Sequence, residues 1–206
     1  HGQTIRHQPH DTKPFSMQIG DPNVIAAGTG ITTVSDFRRK DIAAGGEGAP
    51  LTPIFHHILF YEDKINRVVI NLGGITNLTI INKNINHTSG FDSGPGNTLM
   101  DKWIQENLNQ PFDSAGKWAS QGITSKELLK DLLADPYFER SPPKSTGFEY
   151  FNIKWLRQYL TKKEISPVDI QRTLVCLTVE SIYRAIMQSN TDIQEVIFCG
   201  GGIKNN

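Results

Sequence analysis

Two runs rich in β-branched residues, Arg67–Leu72 and Asn77–Ile81, flank Gly73 and Gly74 and predict an antiparallel hairpin with a glycine turn. Upstream, Met17–Ser35 breaks short apolar runs with Gly, Asp and Pro. It reads as a strand, a turn, a short helix over Pro22–Ala27 and a second strand. Leu51–Phe60 has helical spacing with Pro53 in its first turn, and the polar run Tyr61–Asn66 follows. A domain boundary is expected there, dividing residues 1–60 from 61–206. Further on, Gly96–Leu108 and Ser125–Leu133 predict helices and Ser141–Thr146 an ordered loop. The longest helix is expected over Val168–Gln188, where Ile170, Leu174, Leu177, Ile182 and Ile186 recur at near-helical spacing after Pro167. Glu195–Cys199 is a buried-type strand that runs into Gly200, Gly201 and Gly202. Strands interleaved with helices in this way make the fold class α/β.

Composition narrows the function. Hydrophobic residues at 37% and charged residues at 20% belong to a folded, soluble protein rather than a disordered one. Twenty-one basic and twenty-one acidic side chains cancel, which removes the field that would gather nucleic acid or anionic lipid, so neither is expected as a partner. Cys176 and Cys199 are the only cysteines and lack metal-ligand spacing, which fits a reducing cytoplasm. No apolar run reaches the roughly 18 residues of a membrane span. The chain starts at His1 inside a motif-like stretch and stops just after a glycine cluster, so both ends read as cuts.

Three segments set glycine and small polar residues beside a strand: Asn71–Asn77, Phe91–Asn97 and Cys199–Asn205. Glycine lets backbone N–H groups approach an anion, and a following helix adds its dipole, so phosphate is the natural guest. Any one of them alone is as readily a tight turn. In Asp36–Leu51, Asp41 precedes a glycine loop that leads into a helix. A carboxylate there suits a general base, and equally a capping or salt-bridging partner of Arg38 or Arg39. His1, Gln3, Thr4 and Arg6 offer sugar-type donors and acceptors. His1, His7 and His10 lack the partners a metal site needs, and His56 and His57 suit surface or packing roles.

The order of the hairpin, the Asp92 turn and the late triple glycine resembles the second half of the actin/hexokinase-type (ribonuclease H-like) ATPase fold, two lobes around a cleft. The motifs HGQT (1–4), IGDP (19–22), DFRRKDIAAGGEGAPL (36–51), NLGGITN (71–77), FDSGPGN (91–97), PPKSTG (142–147) and CGGGIKN (199–205) are similar, in order and wording, to those of the anhydro-N-acetylmuramic acid kinase family over almost the whole chain. The resemblance implies an ATP-dependent enzyme of peptidoglycan recycling. It uses water to open 1,6-anhydro-N-acetylmuramic acid while phosphorylating O6, giving N-acetylmuramic acid 6-phosphate.

Under this resemblance residues 1–60 end the first lobe and residues 61–206 form an incomplete second one. Asp41 becomes the catalytic base. His1, Gln3, Thr4, Arg6, Gly20, Asp21 and Pro22 line the sugar site. Asn71, Gly73, Gly74, Asn77, Asp92, Gly94, Gly96, Asn97, Gly200, Gly201, Gly202 and Asn205 hold the nucleotide. ATP and Mg2+ are the implied cofactors, with a homodimer as the implied assembly. Asn71 stands where the superfamily usually carries an acidic residue facing the metal, and Asp92 is the candidate substitute. The family also has an N-terminal phosphate loop that these residues lack, so they are expected to bind ATP poorly and turn over negligibly alone. Competing expectations are another sugar kinase of the superfamily, a non-catalytic sugar-binding domain, and a glycoside hydrolase pairing Asp41 with Asp36 or Asp92.

Overall fold

The computed structural model describes residues 4–9, 11–84, 87–161 and 163–205. The chain forms two compact units, residues 1–51 and 52–206.

In the first unit, β1 (Thr4–Gln8) pairs antiparallel with β2 (Phe15–Gln18). Arg6 lies 5.5 Å from the centre of the Phe15 ring in a cation–π contact. Helix α1 (Pro22–Thr29) starts where the sequence places it: Asp21 accepts from Asn23 N at 2.8 Å and Pro22 occupies the first turn. Gly30 ends it in the left-handed conformation. The expected second strand over residues 31–35 does not form, because no neighbouring strand pairs with that segment. Helix α2 (Phe37–Ala43) follows, an element that the charged Arg38-Arg39-Lys40 run hides from an apolar-periodicity reading.

The second unit begins with α3 (Pro53–Phe60), which packs on a four-stranded sheet of order β5-β4-β3-β6. The hairpin of β3 (Arg67–Leu72) and β4 (Ile75–Ile81) forms as expected. β5 (Ser89–Pro95) adds antiparallel to β4, and β6 (Glu195–Cys199) adds parallel to β3. Asp92, expected in a turn, lies inside β5, because the strand continues through Gly94 to Pro95. Val68, Ile70, Leu78, Ile80 and Phe91 share one sheet face and pack with Ala185 of α8 (Pro167–Gln188), the long helix predicted from periodicity. On the opposite face, buried His56 of α3 shares a 2.9 Å hydrogen bond with Thr79, a packing role.

Helices α4 (Asn97–Leu108), α5 (Lys126–Leu133), α6 (Pro136–Glu139) and α7 (Ile153–Leu160) complete the unit with α8 around a second apolar core. Leu99, Trp103, Leu128, Leu132, Phe138, Phe151, Leu156 and Leu174 fill it. Asp135 is buried there, and its charge is accommodated by donors: Tyr150 Oη and Trp155 Nε1 at 2.8 Å, Tyr137 N at 2.9 Å and Tyr159 Oη at 3.2 Å. The loop over residues 141–147 has no regular structure, as expected, and buries Lys144 and Ser145.

Lys144 and the tyrosines that donate to Asp135 give the protein a two-signed pH dependence. Burial lowers Lys144 to about 8, so the unfolded chain binds more protons than the folded one above that pH. Its contribution to stability is fully present only above the ordinary lysine value near 10.5, and is lost as pH falls toward about 8. Tyr150 and Tyr159, also desolvated and beside Asp135, are pushed up to about 12, so their contribution is present below about 10 and lost as pH rises through 12. Stability is expected to rise from pH 8 toward 10 and fall beyond it. Chemical denaturation across that range tests this, and Lys144→Met should abolish the rising limb alone.

Candidate functional site

The three glycine segments lie at one end of the sheet because the strand ends converge there. Gly73 and Gly74 close the β3–β4 hairpin, Gly94 and Gly96 lie where β5 passes into α4, and Gly200 follows β6. Gly201 and Gly202 lie in a short 3-10 turn, Gly201–Lys204, with Asn205 as its cap. This arrangement follows from pairing β3 with both β4 and β6.

The junctions are tight. The carbonyls of Gly73 and Gly74 accept from Asn97 N at 2.8 Å, Gly96 N at 2.9 Å and Thr98 N at 3.1 Å. The hairpin turn therefore satisfies the first N–H groups of α4, groups a helix normally leaves open. A Cβ on Gly96 would stand 2.3 Å from the Gly73 carbonyl oxygen, so glycine is required for this seam. Gly200, at φ +87°, crosses Asn71 and Leu72 closely enough that a Cβ would approach Asn71 Oδ1 to 2.5 Å. Asn97 Nδ2 donates to the Leu72 carbonyl at 3.1 Å and lies against Gly202.

A row of polar side chains crosses the sheet at this end. In register, Asn71 faces Asn77 and Asn77 faces Asp92, so all three project from one face. The Asn77–Asp92 pairing continues the register of Ile80–Ser89 and Leu78–Phe91, and the shift follows it: Thr76 pairs with Gly94, leaving Ser93 as the extra residue. Asn71 Nδ2 donates to Asn77 Oδ1 at 3.1 Å, and Asn77 Nδ2 donates to Asp92 Oδ1 at 2.5 Å. Thr146 N donates to Asp92 Oδ2 at 2.9 Å. Asp92 is 2% exposed, so burial in this network keeps it from facing a ligand directly, contrary to its expected place in a nucleotide loop.

Two cavities border the late glycine turn. One, of about 500 Å³, lies between α8 and the sheet and is largely apolar, with Leu72, Val179, Phe198, Gly202 and Asn205 among its walls. The other, of about 280 Å³, shares Asn97, Gly202 and Asn205 with it and adds Asp101, Phe112, Gly201 and Lys204. Sequence reasoning missed Asp101. Its position one helical turn after Asn97 is the signal that puts both on one face of α4. Burial raises its carboxyl above the usual aspartate value, and it accepts no hydrogen bond from the described residues. Lys144 and Thr146 were legible as a motif but carried no assigned role.

In the first unit, Asp41 occupies the last turn of α2. Its Oδ2 accepts from Gly48 N at 2.7 Å, while Arg38 Nη1 donates to the Gly48 carbonyl at 2.7 Å. The glycine loop is thus folded back on the carboxylate, leaving Oδ1 with no hydrogen bond from the described residues. A surface salt bridge in this segment runs from Arg39 to Asp36, at 3.2 Å. Thr4 accepts from Gln18 at 3.4 Å; Gly20, with φ +107°, leads into the Asp21 cap and Pro22; His1 and Gln3 lie outside the described residues.

A mixed α/β sheet with glycine turns gathered at one end is consistent with the actin-like ATPase class. Residues 1–206 match the model of the family described as anhydro-N-acetylmuramic acid kinase, and the chain belongs to that family. Curated relatives named anhydro-N-acetylmuramic acid kinase include those of Coxiella burnetii (strain RSA 493 / Nine Mile phase I), 52% identical over 207 residues, and Shewanella sp. (strain ANA-3), 50% identical over 207 residues. The Vibrio cholerae relative is 48% identical over 206 residues. Each match covers 100% of this chain but 55–56% of the relative, so the chain spans little more than half their length.

Proposed function

We propose that the protein is an ATP-dependent kinase that opens 1,6-anhydro-N-acetylmuramic acid with water and phosphorylates O6, a step in peptidoglycan recycling. The observation that carries this reading is the convergence of three glycine segments beside cavities large enough for a nucleoside, within a chain that matches the kinase family throughout.

Asp41 takes a proton from water as the water oxygen bonds to the anomeric carbon, and the bond from that carbon to O6 breaks. The departing O6 takes the γ-phosphoryl group, and ADP leaves. Thr4, Arg6 and the 20–22 turn, with His1 and Gln3, belong to the sugar side of this reading. The glycine turns with Asn97 and Asn205 belong to the nucleotide side. The protein works in the cytoplasm, as a homodimer.

Among the described residues, no group of three His, Cys, Asp or Glu side chains could hold a metal. The amides Asn71 and Asn97 and the single carboxylate Asp101 at the glycine end suit a hydrated Mg2+ carried by phosphates rather than a cage of carboxylates. The cation supplies charge neutralisation for phosphoryl transfer.

A mass-resolved assay of the full-length protein tests the function. Conversion of the anhydro sugar to a 6-phosphate only when ATP is present supports it, and ring opening without ATP contradicts it. Asp101, beside the Gly201–Lys204 turn, is assigned to the ribose hydroxyls. Asp101→Asn should raise KM for ATP and shrink the preference for ATP over 2′-deoxy-ATP by about tenfold, the scale of one charged hydrogen bond. An unchanged ratio would remove that assignment.

A further inference from the structure

The polar row across the sheet has a direction. A carboxylate only accepts hydrogen bonds, so Asp92 Oδ1 obliges Asn77 to present its Nδ2, which leaves Asn77 Oδ1 as the acceptor on the other side. That oxygen in turn obliges Asn71 to present its own Nδ2, turning Asn71 Oδ1 away from the row and against the backbone at Gly200. No described residue donates to this oxygen.

The far end of the row is anchored by the PPKSTG segment. Thr146 N holds the second carboxylate oxygen, Asp92 N donates to the Lys144 carbonyl at 3.0 Å, and Tyr137 Oη donates to the Asp92 carbonyl at 2.9 Å. The buried Lys144 ammonium interacts favourably with Asp92, and its charge lies 5.0 Å from the centre of the Tyr137 ring. The negative charge is therefore fixed in place, separated from Gly200 by the side chains of Asn77 and Asn71.

We infer that Asp92 is a positioning residue that acts through Asn77 to aim Asn71 Oδ1, as an acceptor, at a water of the hydrated divalent cation accompanying the nucleotide phosphates. The register that runs from Ile80–Ser89 to Asn77–Asp92 is what makes this possible. A slip of one residue in that ladder would set Asn77 opposite Ser93, and the carboxylate would project from the other sheet face. The row conveys the polarity of a buried carboxylate to a strand end that carries only an amide. It explains how Asn71 serves where related folds use an acid, and gives the PPKSTG segment a role as counter-charge and clamp.

The cation role rests on the reading of the glycine end as a phosphate site, so the test has two arms. In the full-length protein, the side-chain amide signals of Asn71 and Asn77 are assigned by NMR. They should be shifted and protected from exchange in the wild type, with both losing protection in Asp92→Asn, whose amide can donate as well as accept. Unprotected amides in the wild type, or unchanged ones in the variant, would overturn the relay whether or not nucleotide binds.

In the second arm, ADP affinity is measured with Mg2+ and with chelator. Asn71→Ala and Asp92→Asn should each lose about fivefold to tenfold of the tightening due to Mg2+, as expected for one hydrogen bond, while chelated ADP binds within about twofold of wild type. Asn71→Asp, which keeps an oxygen acceptor at that position, should retain the Mg2+ effect. Equal Mg2+ dependence in all four proteins would overturn the cation role. Absence of ADP binding in the wild type would remove the glycine-end reading and the cation role together, leaving the relay to the NMR result.

Discussion

Replacing Asp41 with Asn in the full-length protein is expected to lower kcat for conversion of the anhydro sugar by 10²–10⁴-fold, the range of a lost general base. The structure makes this variant a clean test. Asn can still accept from Gly48 N, the 2.7 Å bond that folds the glycine loop onto α2, so the local backbone should persist. Thermal denaturation should therefore find the variant within about 0.5–1 kcal/mol of wild type, the net contribution of one neutral hydrogen bond. A variant of normal stability and normal kcat would return Asp41 to a purely structural role, with the Gly48 bond as its whole purpose.

The second large effect is expected at the glycine seam. Gly96→Ala puts a methyl 2.3 Å from the Gly73 carbonyl and 2.8 Å from Thr76 Oγ1, a clash with backbone that side-chain rotation cannot relieve. It should cost about 2–4 kcal/mol by forcing the hairpin turn off the start of α4. Gly201 is the informative contrast, because a Cβ there meets nothing within 4 Å. Packing makes no demand for glycine at that position. Gly201→Ala should leave stability nearly unchanged yet weaken ATP binding about tenfold or more, because the backbone there is bare for a ligand to approach. Calorimetric titration with ADP beside thermal unfolding separates the two. Full affinity in Gly201→Ala would place the nucleotide elsewhere.

Local signals carried much of the fold. The hairpin around Gly73 and Gly74 and the long helix after Pro167 were legible because a periodic pattern and a turn or cap residue agreed at each. The segment over residues 31–35 was not, since strand propensity forms a strand only where an edge is available to pair with. Asp92 was misplaced for a related reason. Its glycine- and proline-rich surroundings read as a turn, whereas β4 draws them into a strand with an extra residue at Ser93. Helix α2 escaped notice because its charged residues mask the apolar period.

The candidate site divides along the same line. Glycine turns announce themselves in one sequence, so Gly73, Gly96 and Gly200 could be singled out. That they meet at one sheet end depends on the parallel pairing of β3 with β6, more than 120 residues apart in sequence. Register decides the rest. Asn71, Asn77 and Asp92 become a directed row only through cross-strand pairing, and Asp101 lines the cavity beside the late glycine turn only because helical spacing carries it one turn beyond Asn97.

The most direct measurement follows heavy oxygen. The full-length protein is given the anhydro sugar and ATP in water labelled with oxygen-18, and the product is located by fragment mass. The expected product is an N-acetylmuramic acid 6-phosphate bearing one heavy oxygen, at the anomeric carbon, with none in its phosphate. Phosphorylation of ordinary hexoses with the anhydro sugar left intact, or heavy oxygen appearing in phosphate released from ATP without ring opening, would contradict it.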